Sequence, residues 1–556
     1  MNRSDNIKSP FVIVAIILIL AAVMSFGCGN IEIEKSGINE QSMAAAERIS
    51  AARKVLGKKE PVKKEISCKE IKCAELGFQL KVPGYMKIDT DYMPAFIRIS
   101  SPDMDIRISR EQSPYEDIDS YINTYIYKYM LDPEYRKANN INLITNEYRS
   151  INGVKTKILK FVRKPAATSR EIQNEYIHGL FITGGREFYN CFIRCNSLNR
   201  QEEVIRQILG SFRKIESKGE LKLDITLKPE LPHWNAETRT FYEKLSNSDS
   251  IMWGIFYPNS ITKDFSRIQE IEKKLGYNFP VVLHYLYLGQ EFPLEGMERA
   301  YKAGKVVELT MQVMWNVKPG NSDDKLKNVN FDVLDGLYDD EIRRFARAAK
   351  AFSHPFIFRL NNEMNSTWTR YSGIALLCDP DVYIKVWRRI YDIFQAEGVD
   401  NAIWVFNPND VDYPPLKWNS DVSYYPGNKY VHMIGLTGYN TGTYYNNVTG
   451  ERWRSFSEIY GPLNKKYSSL YSKFPWMITE FACSSTGGDK KKWIEDMFSE
   501  IGNYKNIKAA VWWSYADFDY RGKTKGTPAR RYWLDEKAEY LKAFREGLKS
   551  NGGKAR

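Results

Sequence analysis

The 556-residue chain is predicted to be an α/β protein, with a (β/α)8 TIM barrel in its C-terminal half and a smaller α+β domain with an antiparallel sheet before it. Eight apolar, strand-like segments alternate with helix-like segments over about 300 residues, a length sufficient for such a barrel to close. These strands read as continuous apolar runs, as strands buried on both faces do. A chain of this length exceeds one ordinary domain, so a second domain is expected.

The N-terminus has the layout of a signal peptide. Two basic residues precede an unbroken apolar run at residues 11–27, which is short for a membrane span and ends directly before Cys28. This junction resembles the processing site of bacterial lipoproteins, which implies a lipoprotein-type signal peptide at residues 1–27 and lipidation of Cys28. Residues 28–66 are polar and are predicted to be a tether. The chain is expected to be exported and attached through Cys28 to the outer face of the cell membrane, or secreted; an uncleaved apolar anchor is the alternative.

Residues 67–215 predict the smaller α+β domain. The segment "YRSINGVKTKILKFV" is typical of a hairpin that turns at Asn152 and Gly153, and "YIHGLFITGGREFYNCFIRC" predicts a second hairpin before the closing helix "RQEEVIRQILGSFRKI". The order of these elements resembles that of small secreted domains related to the photosystem protein PsbP. No segment has a catalytic pattern, so a spacer or binding role is expected. Residues 216–247 are predicted to link this domain to the barrel at 248–550.

The cysteines allow disulfides, because six remain besides Cys28 in a chain expected to be exported. Cys191 and Cys195 lie four strand positions apart, roughly 13 Å, which is too far for a bond between them. The prediction is a bond from at least one of them to Cys68 or Cys73. Buried free thiols are the alternative.

Composition argues against several classes of partner. The five histidines are scattered without the spacing of zinc ligands, so no metal site is predicted. The chain has no dinucleotide-binding or phosphate-binding loop, so no cofactor is expected. The net charge of +12 arises from 80 basic and 68 acidic residues that are interspersed, so nucleic acid is not an expected partner.

The predicted barrel strands follow one another in a regular order. They are "IMWGIFYPN", "PVVLHYLYLG", "VVELTMQVMWN", "FIFRLNNEMN", "NAIWVFNPN", "VHMIGLTGYN", "WMITEFA" and "IKAAVWWSYAD". The clearest helices between them are "DFSRIQEIEKKLG", "DDEIRRFARAAKAF", "DVYIKVWRRIYDIFQAEG" and "KKWIEDMFSEIG". Polar and aromatic residues collect where these strands end, which is the end of a barrel that carries the chemistry.

Two glutamates stand at strand ends, Glu363 after the fourth strand and Glu480 in the seventh. Two carboxyl groups at one site can share the cleavage of a glycosidic bond: a protonated one gives its proton to the departing oxygen, and an ionised one attacks the anomeric carbon. At a separation of about 5–5.5 Å the pair would retain the anomeric configuration through a covalent glycosyl-enzyme. A structural ion pair, with Arg359 as the cation, is the alternative for either glutamate.

Three motifs, taken together and in order, resemble those of glycoside hydrolase family 26, the β-mannanase family within a larger clan of retaining barrels. They are "FRLNNEMN", "SYYPGNKYVHMIGLTGYN" at residues 423–440, and "WMITEFA". The resemblance covers about half the chain, all of it in the barrel. It implies that Glu363 is the general acid/base and Glu480 the nucleophile.

The resemblance also implies roles for residues around the two glutamates. Tyr439 would hydrogen-bond the nucleophile, and Arg359 would support both carboxylates from below. Trp513 would form the stacking floor under the sugar at the cleavage point, with Trp512 as the alternative. Trp368 would line the adjoining subsite.

Two positions depart from the family pattern. The family usually has a histidine directly before the acid/base and another after the tryptophan of the third strand; this chain has Asn362 and, after Trp315, Asn316. Asparagine before the acid/base is the usual pairing in the wider clan, where it binds the 2-hydroxyl of the sugar, so catalysis is expected to be kept. The two histidines shape the substrate subsites, and the substrate therefore stays open.

The function predicted from these features is that of a retaining β-glycoside hydrolase without a cofactor, acting as a monomer on a polysaccharide. An endo-β-1,4-mannanase is the first expectation. A β-1,3-1,4-glucanase or a β-xylanase on the same scaffold is the alternative among enzymes. A non-catalytic, surface-attached glycan-binding lipoprotein is the alternative outside them.

Overall fold

A computed structural model describes the chain from residue 67 to residue 550, except for residues 127, 169–172, 221–222, 224 and 315–325. Several predictions fall outside this part of the chain and stay predictions: the signal peptide at 1–27, the lipidated Cys28, the tether at 28–66, and the substrate contacts of Trp315 and Asn316. Among the helices within it, none is long and apolar enough to cross a membrane.

The region before the barrel is an antiparallel α+β structure, as predicted. Its strands are β1 Cys68–Cys73, β2 Phe78–Pro83, β3 Lys87–Asp89, β4 Ile97–Ser101, β5 Met104–Gln112, β6 Ile141–Ile151, β7 Val154–Arg163, β8 Glu175–Gly184, β9 Glu187–Cys195 and β10 Arg213–Lys214. Its helices are α1 Ile118–Tyr121, with a π-helical turn at Ile122–Ile126, α2 Pro133–Ala138 and α3 Leu198–Ser211. A seven-stranded sheet has the order β3-β4-β5-β9-β8-β7-β6, and β1, β2 and β10 form a three-stranded sheet.

Local sequence explains the two predicted hairpins and the closing helix. Asn152 and Gly153 adopt φ of +52° and +80° between β6 and β7, the left-handed pair that a two-residue hairpin turn needs. β8 and β9 form the second hairpin. Helix α3 begins at the N-cap Ser197, whose side chain accepts from the backbone N–H of Arg200.

The cysteines differ from the first expectation. Cys191 and Cys195 are buried free thiols on β9, where they pair in register with residues of β5. Cys73 lies on β1 in the other sheet, and its thiol contacts the carboxylate of Glu75. The predicted bond from Cys191 or Cys195 to Cys68 or Cys73 is therefore wrong, because both residues of β9 keep free thiols. Burial accordingly raises the pKa of the Cys191 thiol to about 12.

The eight predicted barrel strands all form, and they close into a parallel barrel in chain order. They are β11 Met252–Phe256, β12 Val281–Tyr287, β13 Val306–Gln312, β14 Phe356–Leu360, β15 Ala402–Phe406, β16 Met433–Thr437, β17 Trp476–Phe481 and β18 Ile507–Trp513. Strand β11 pairs with both β12 and β18, which closes the ring. A short antiparallel hairpin, β19 Ala516–Phe518 and β20 Pro528–Arg531, follows the last strand.

Helices surround the barrel. They are α4 Ala236–Ser246, α5 Ser266–Leu275, α6 Leu294–Lys302, α7 Val329–Leu334, α8 Asp339–Phe352, α9 Pro380–Ala396, α10 Asn446–Thr449, α11 Phe456–Leu470, α12 Lys490–Ile501 and α13 Ala538–Ser550. Short 3-10 turns lie at Lys417–Asn419, Asp421–Tyr424, Asn428–Tyr430 and Gly522–Thr524. Helix α8 illustrates why they form: it buries Ile342, Phe345, Ala346 and Ala349 at helical spacing and has three acidic residues in its first turn.

Residues 216–247, predicted to be a linker, contain helix α4, which packs across the amino-terminal end of the barrel. The Tyr242 hydroxyl donates to the carbonyl of His432 (3.0 Å), just before β16. The Trp234 indole N–H donates to the carbonyl of Ala402 (3.0 Å) at the start of β15. This segment therefore serves as the floor of the barrel core. The predicted domain boundaries themselves stay predictions.

The smaller α+β region packs on the loops at the carboxyl end of the barrel. The carboxylate of Glu111, on β5, accepts from the backbone N–H groups of Lys417 (2.7 Å) and Trp418 (3.0 Å) in the loop after β15. The Tyr135 hydroxyl donates to the carbonyl of Ala375 (2.7 Å) in the loop after β14. Because catalytic residues of such barrels stand on these loops, the smaller region adjoins the candidate site.

A buried ion network joins the same two parts of the structure. Arg194, on β9, contacts the carboxylates of Asp105 (3.2 Å), Asp379 (3.4 Å) and Asp381. Asp379 is the N-cap of α9 and ends the loop that follows β14. The network thus connects the sheet of the smaller region to the loop that carries Glu363.

Candidate active site

Strands β14 and β17 bring Glu363 and Glu480 to the carboxyl end of the barrel. Glu480 is the fifth residue of β17, and Glu363 lies three residues beyond β14. Glu363 adopts a left-handed backbone conformation (φ +58°), and its N–H donates to the carbonyl of Asn407 (2.7 Å). Such a conformation is uncommon for a residue with a side chain, and it persists where surrounding contacts hold it.

Four donors converge on the carboxylate of Glu480, whose residue is 4% exposed. The hydroxyls of Tyr285 and Tyr439 (3.1 Å) donate hydrogen bonds to one carboxylate oxygen. The Arg359 guanidinium (3.1 Å) and the Asn362 amide (3.3 Å) donate to the other. Both oxygens therefore act as acceptors, as they do in an ionised carboxylate.

Glu363 lies in the opposite environment. Burial, and then the charge of Glu480, raise the pKa of Glu363 to about 8, while the hydrogen bond from the Trp368 indole N–H (3.1 Å) opposes the shift. The protonated form of Glu363 is therefore favoured. Two carboxyl groups whose surroundings differ in this way can act as an acid and an anion in one reaction.

Arg359 lies fully buried beneath the pair. Its guanidinium donates to Thr310 (2.8 Å) and to Asn407 (3.0 Å), and it contacts the carboxylate of Glu308 at 3.1 Å. Burial raises the pKa of Glu308 to about 8, although Arg359 opposes the shift. Arg359 thus contacts two carboxyl groups, Glu308 and Glu480, and burial favours the neutral form of Glu308.

The Asn362 side chain is held in one orientation. Its Oδ1 accepts from the Gln312 amide (3.0 Å) and the Tyr371 hydroxyl (3.1 Å), so its amide N–H must face Glu480. The Asn362 amide is thus a positioned hydrogen-bond donor.

Trp513 faces the site, whereas Trp512 does not. The half-buried Trp513 ring stacks on Phe256 (centroids 5.2 Å apart, 17° between planes) and meets Tyr439 edge-on at 6.2 Å. The Trp512 ring is fully buried, and its indole N–H donates to the carbonyl of Tyr532 (3.0 Å). Trp368 is 51% exposed beside Glu363.

The structure brings together most of the site residues named from the sequence. At the carboxyl end of the barrel lie Arg359, Asn362, Glu363, Trp368, Tyr439, Glu480 and Trp513. Their roles stay predictions. The part of the chain described here contains no cluster of His, Cys, Asp and Glu that could hold a metal ion.

Sequence reasoning missed Tyr285 and Glu308. Both lie inside strands, β12 and β13, whereas candidate site residues were expected only where strands end. A signal existed for Glu308, which is a carboxylate in the middle of the apolar run "VVELTM". A charge at such a position is costly unless it is paired or neutralised, and this indicates a buried polar layer.

Comparison with known proteins shows that part of the chain matches a family of glycoside hydrolases. Residues 319–470 match the sequence profile of glycosyl hydrolase family 26. Endoglucanase H of Acetivibrio thermocellus is 32% identical over 221 residues, which is 39% of this chain and 23% of that protein. The mannan endo-1,4-β-mannosidase of Bacillus subtilis is 29% identical over 131 residues, which is 22% of this chain and 34% of that protein. The chain thus spans about a quarter to a third of the curated relatives that it matches.

The chain can also be superposed on solved structures. The catalytic domain of an endo-β-1,4-mannanase from Bacillus sp. JAMB-750 aligns over 59% of this chain and 93% of its own, with a TM-score of 0.42 and 16% identity.

Proposed function

We propose that the protein is a retaining β-glycoside hydrolase of glycosyl hydrolase family 26 that cleaves a β-linked polysaccharide, and the match of residues 319–470 to the profile of that family supports the proposal. One observation supports this most strongly: the two glutamates of one site lie in opposite electrostatic environments. The raised pKa of Glu363 favours its protonated form, and Glu480 accepts hydrogen bonds on both oxygens. A double displacement requires such a division of states.

The proposed reaction has two steps. Glu363 gives its proton to the departing glycosidic oxygen while Glu480 attacks the anomeric carbon, and the carbon–oxygen bond to the leaving sugar breaks as the bond to Glu480 forms. Glu363, now ionised, then takes a proton from water. The resulting nucleophile displaces Glu480 and releases a sugar with its original anomeric configuration.

The neighbours of Glu480 fit this role. Tyr285 and Tyr439 hold one carboxylate oxygen, and Arg359 the other, so the side chain cannot rotate away from an attacking orientation. Asn362 reaches the same carboxylate with a positioned amide that can also bind a sugar hydroxyl. Positioning of this kind is a large part of the advantage of an enzymatic nucleophile.

We propose β-1,4-mannan as the substrate. Two of the relatives are named as mannan endo-1,4-β-mannosidases, which supports this choice. Mixed-linkage β-glucan is the second candidate, since the relative with the longest match is named Endoglucanase H. The replacement of a subsite histidine by Asn362 is compatible with either polymer.

We further propose that the enzyme acts outside the cell, held by a lipid at Cys28. A polysaccharide cannot cross a membrane to reach its enzyme, so an exported and anchored hydrolase suits a polymeric substrate. The apolar run at residues 11–27 and the small residue before Cys28 support this location.

The first experiment measures reducing-sugar release by the full chain from β-mannan, mixed-linkage β-glucan and β-xylan, beside a Glu363→Ala variant. We expect release from β-mannan that the variant lacks. Release from β-glucan alone would replace the proposed substrate while keeping the reaction. Binding of a polymer without release from any of them would make the protein a non-catalytic glycan-binding protein.

The pH profile should have an alkaline limit set by Glu363. The acid must be protonated to act, so kcat/KM is present below the pKa of Glu363 and falls as the pH rises through about 8. An aryl glycoside with a good leaving group needs no proton donor for the first step. With that substrate and the Glu363→Ala variant, the alkaline limit of kcat/KM should disappear. Its persistence would assign the limit to another group.

A further inference from the structure

Four aromatic side chains form a strip that runs from the candidate active site onto the smaller α+β region. Trp368 and Tyr413, in the loops after β14 and β15, have ring centroids 5.7 Å apart. Tyr125 and Tyr115, from the smaller region, have centroids 5.9 Å apart. We call these residues the aromatic strip. Trp368, Tyr413 and Tyr115 are 51%, 42% and 36% exposed, so their rings are accessible from solvent.

The two halves of the strip adjoin one another. Burial, and then Tyr115 and Tyr413, raise the pKa of Tyr125 to about 12. The same turn of chain holds Tyr121, whose ring lies 6.1 Å from Tyr125 and whose hydroxyl accepts from the Trp418 indole at 3.5 Å. Trp418 belongs to the same loop as Tyr413, so the smaller region meets the barrel directly beside the strip.

The strip begins at the catalytic centre. The Trp368 indole N–H donates to Glu363 (3.1 Å), which places the first ring beside the proposed proton donor. Tyr413 is fixed there by its own backbone, because its N–H donates to the carbonyl of Asn365 (2.8 Å) in the Glu363 loop. A polymer lying in the cleft would meet the aromatic strip as it passes Glu363.

Side chains outside the aromatic strip also hold the two regions together: Glu111 contacts the loop after β15, and Arg194 and Tyr135 contact the loop after β14. An exposed row of aromatic side chains continuous with an active-site cleft is typical of a ligand-binding surface.

Resting on the proposed glycoside hydrolase function, we propose that the aromatic strip binds the β-linked polysaccharide beyond the cleavage point, so that Tyr115 and Tyr125 of the smaller region complete the substrate cleft. The flat C–H faces of β-linked sugars stack on aromatic rings, and the phenol hydroxyls can bond to sugar hydroxyls. This gives the smaller region a function, which is to extend the cleft and favour long chains over short ones.

The test compares long and short substrates in Tyr115→Ala and Tyr413→Ala, each made in the full chain. The measured quantity is the ratio of kcat/KM for the polymer to kcat/KM for a short aryl glycoside that occupies only the cleavage point. We expect each alanine variant to lower this ratio about tenfold through KM, and Tyr115→Phe to restore it because the ring remains. Tyr85→Ala is the matched control, since Tyr85 is a 64% exposed tyrosine of the same region outside the strip, and it should keep the wild-type ratio.

The outcomes separate this inference from the proposed function. A wild-type ratio in both alanine variants would overturn the strip while leaving the hydrolase intact. If the wild-type protein hydrolyses nothing, the proposed function fails, and retardation of the protein in gels containing β-mannan then tests the strip by itself. Retardation lost in Tyr115→Ala but kept in Tyr85→Ala would support the strip as a glycan-binding surface, and equal retardation in both would overturn it.

Discussion

Glu480→Ala is expected to abolish sugar release from the polysaccharide, because the proposed mechanism assigns the attack on the anomeric carbon to this carboxylate. The variant also leaves Arg359, fully buried, without one of its carboxylate partners. Turnover should fall to the background on the polymer and on aryl glycosides alike, since both substrates need the nucleophile. Release of reducing sugar measures turnover of the polymer, and release of the aryl group measures turnover of the aryl glycoside.

Glu363→Ala should behave differently, and the difference tests the assignment of roles. The polymer needs a proton donor, so its turnover should fall about 10²–10⁴-fold. An aryl glycoside with a good leaving group should still form the glycosyl-enzyme and then stall. Added azide can attack that intermediate without a base, forming a bond from its nitrogen to the anomeric carbon as the Glu480 carboxylate departs. Recovery of turnover with a glycosyl azide of retained configuration is the expected result.

A matched control guards against non-specific effects of losing a carboxylate. Glu495→Ala removes a surface glutamate on α12 that pairs with Lys491, and its activity should equal that of the wild type. A glycosyl azide of retained configuration formed by Glu480→Ala instead of Glu363→Ala would exchange the two roles, whereas an azide of inverted configuration from Glu480→Ala would agree with Glu480 as the nucleophile. Full activity in either active-site variant would refute the two-glutamate mechanism.

The barrel strands, and the position of the two glutamates at their carboxyl ends, could be predicted because both are visible in the local sequence. Strands buried on both faces form apolar runs, and Glu363 and Glu480 are charged residues near the ends of such runs. Tyr285 leaves no such mark, since a tyrosine within an apolar strand is also a normal core residue. Only closure of the barrel brings β12 opposite β17 and turns Tyr285 into a hydrogen-bond partner of Glu480.

The contacts between the smaller region and the barrel could not be predicted for a related reason. From the sequence alone, Glu111 would be taken for a solvent-exposed strand residue. In the structure it is buried and accepts hydrogen bonds from two backbone N–H groups that lie more than 300 residues further along the chain. The segment at 216–247 reads as a polar linker, and its helix α4 is recognisable only once the barrel floor that it covers exists. In both cases tertiary packing, rather than local pattern, decides the structure.

Arg194→Leu is expected to cause a large loss of stability. The side chain is 2% exposed and faces three carboxylates, two of them buried. Removing one partner of a buried ion pair leaves uncompensated charge and costs about 3–5 kcal/mol. The denaturant midpoint should fall accordingly. Arg206→Leu is the control, because Arg206 is a 72% exposed arginine of the same region paired with Glu203, and its midpoint should match the wild type.

The loss in Arg194→Leu should depend on pH in a defined direction. Burial acts to raise the pKa of Asp381, but Arg194, followed by Lys385 and Arg107, lowers that pKa in the wild type. Without the arginine, burial raises the carboxyl pKa values in the folded state above those of the unfolded chain. The variant then keeps its stability at pH values below the carboxyl pKa of the unfolded chain and loses it as the pH rises through the carboxyl pKa of the folded state. The difference in unfolding free energy between wild type and variant should therefore be small near pH 4 and large at pH 7. Because Asp379 ends the loop that carries Glu363, turnover at pH 7 should fall below the level that the folded fraction explains. A deficit that does not change with pH would show that these carboxylates are not the source of the lost stability.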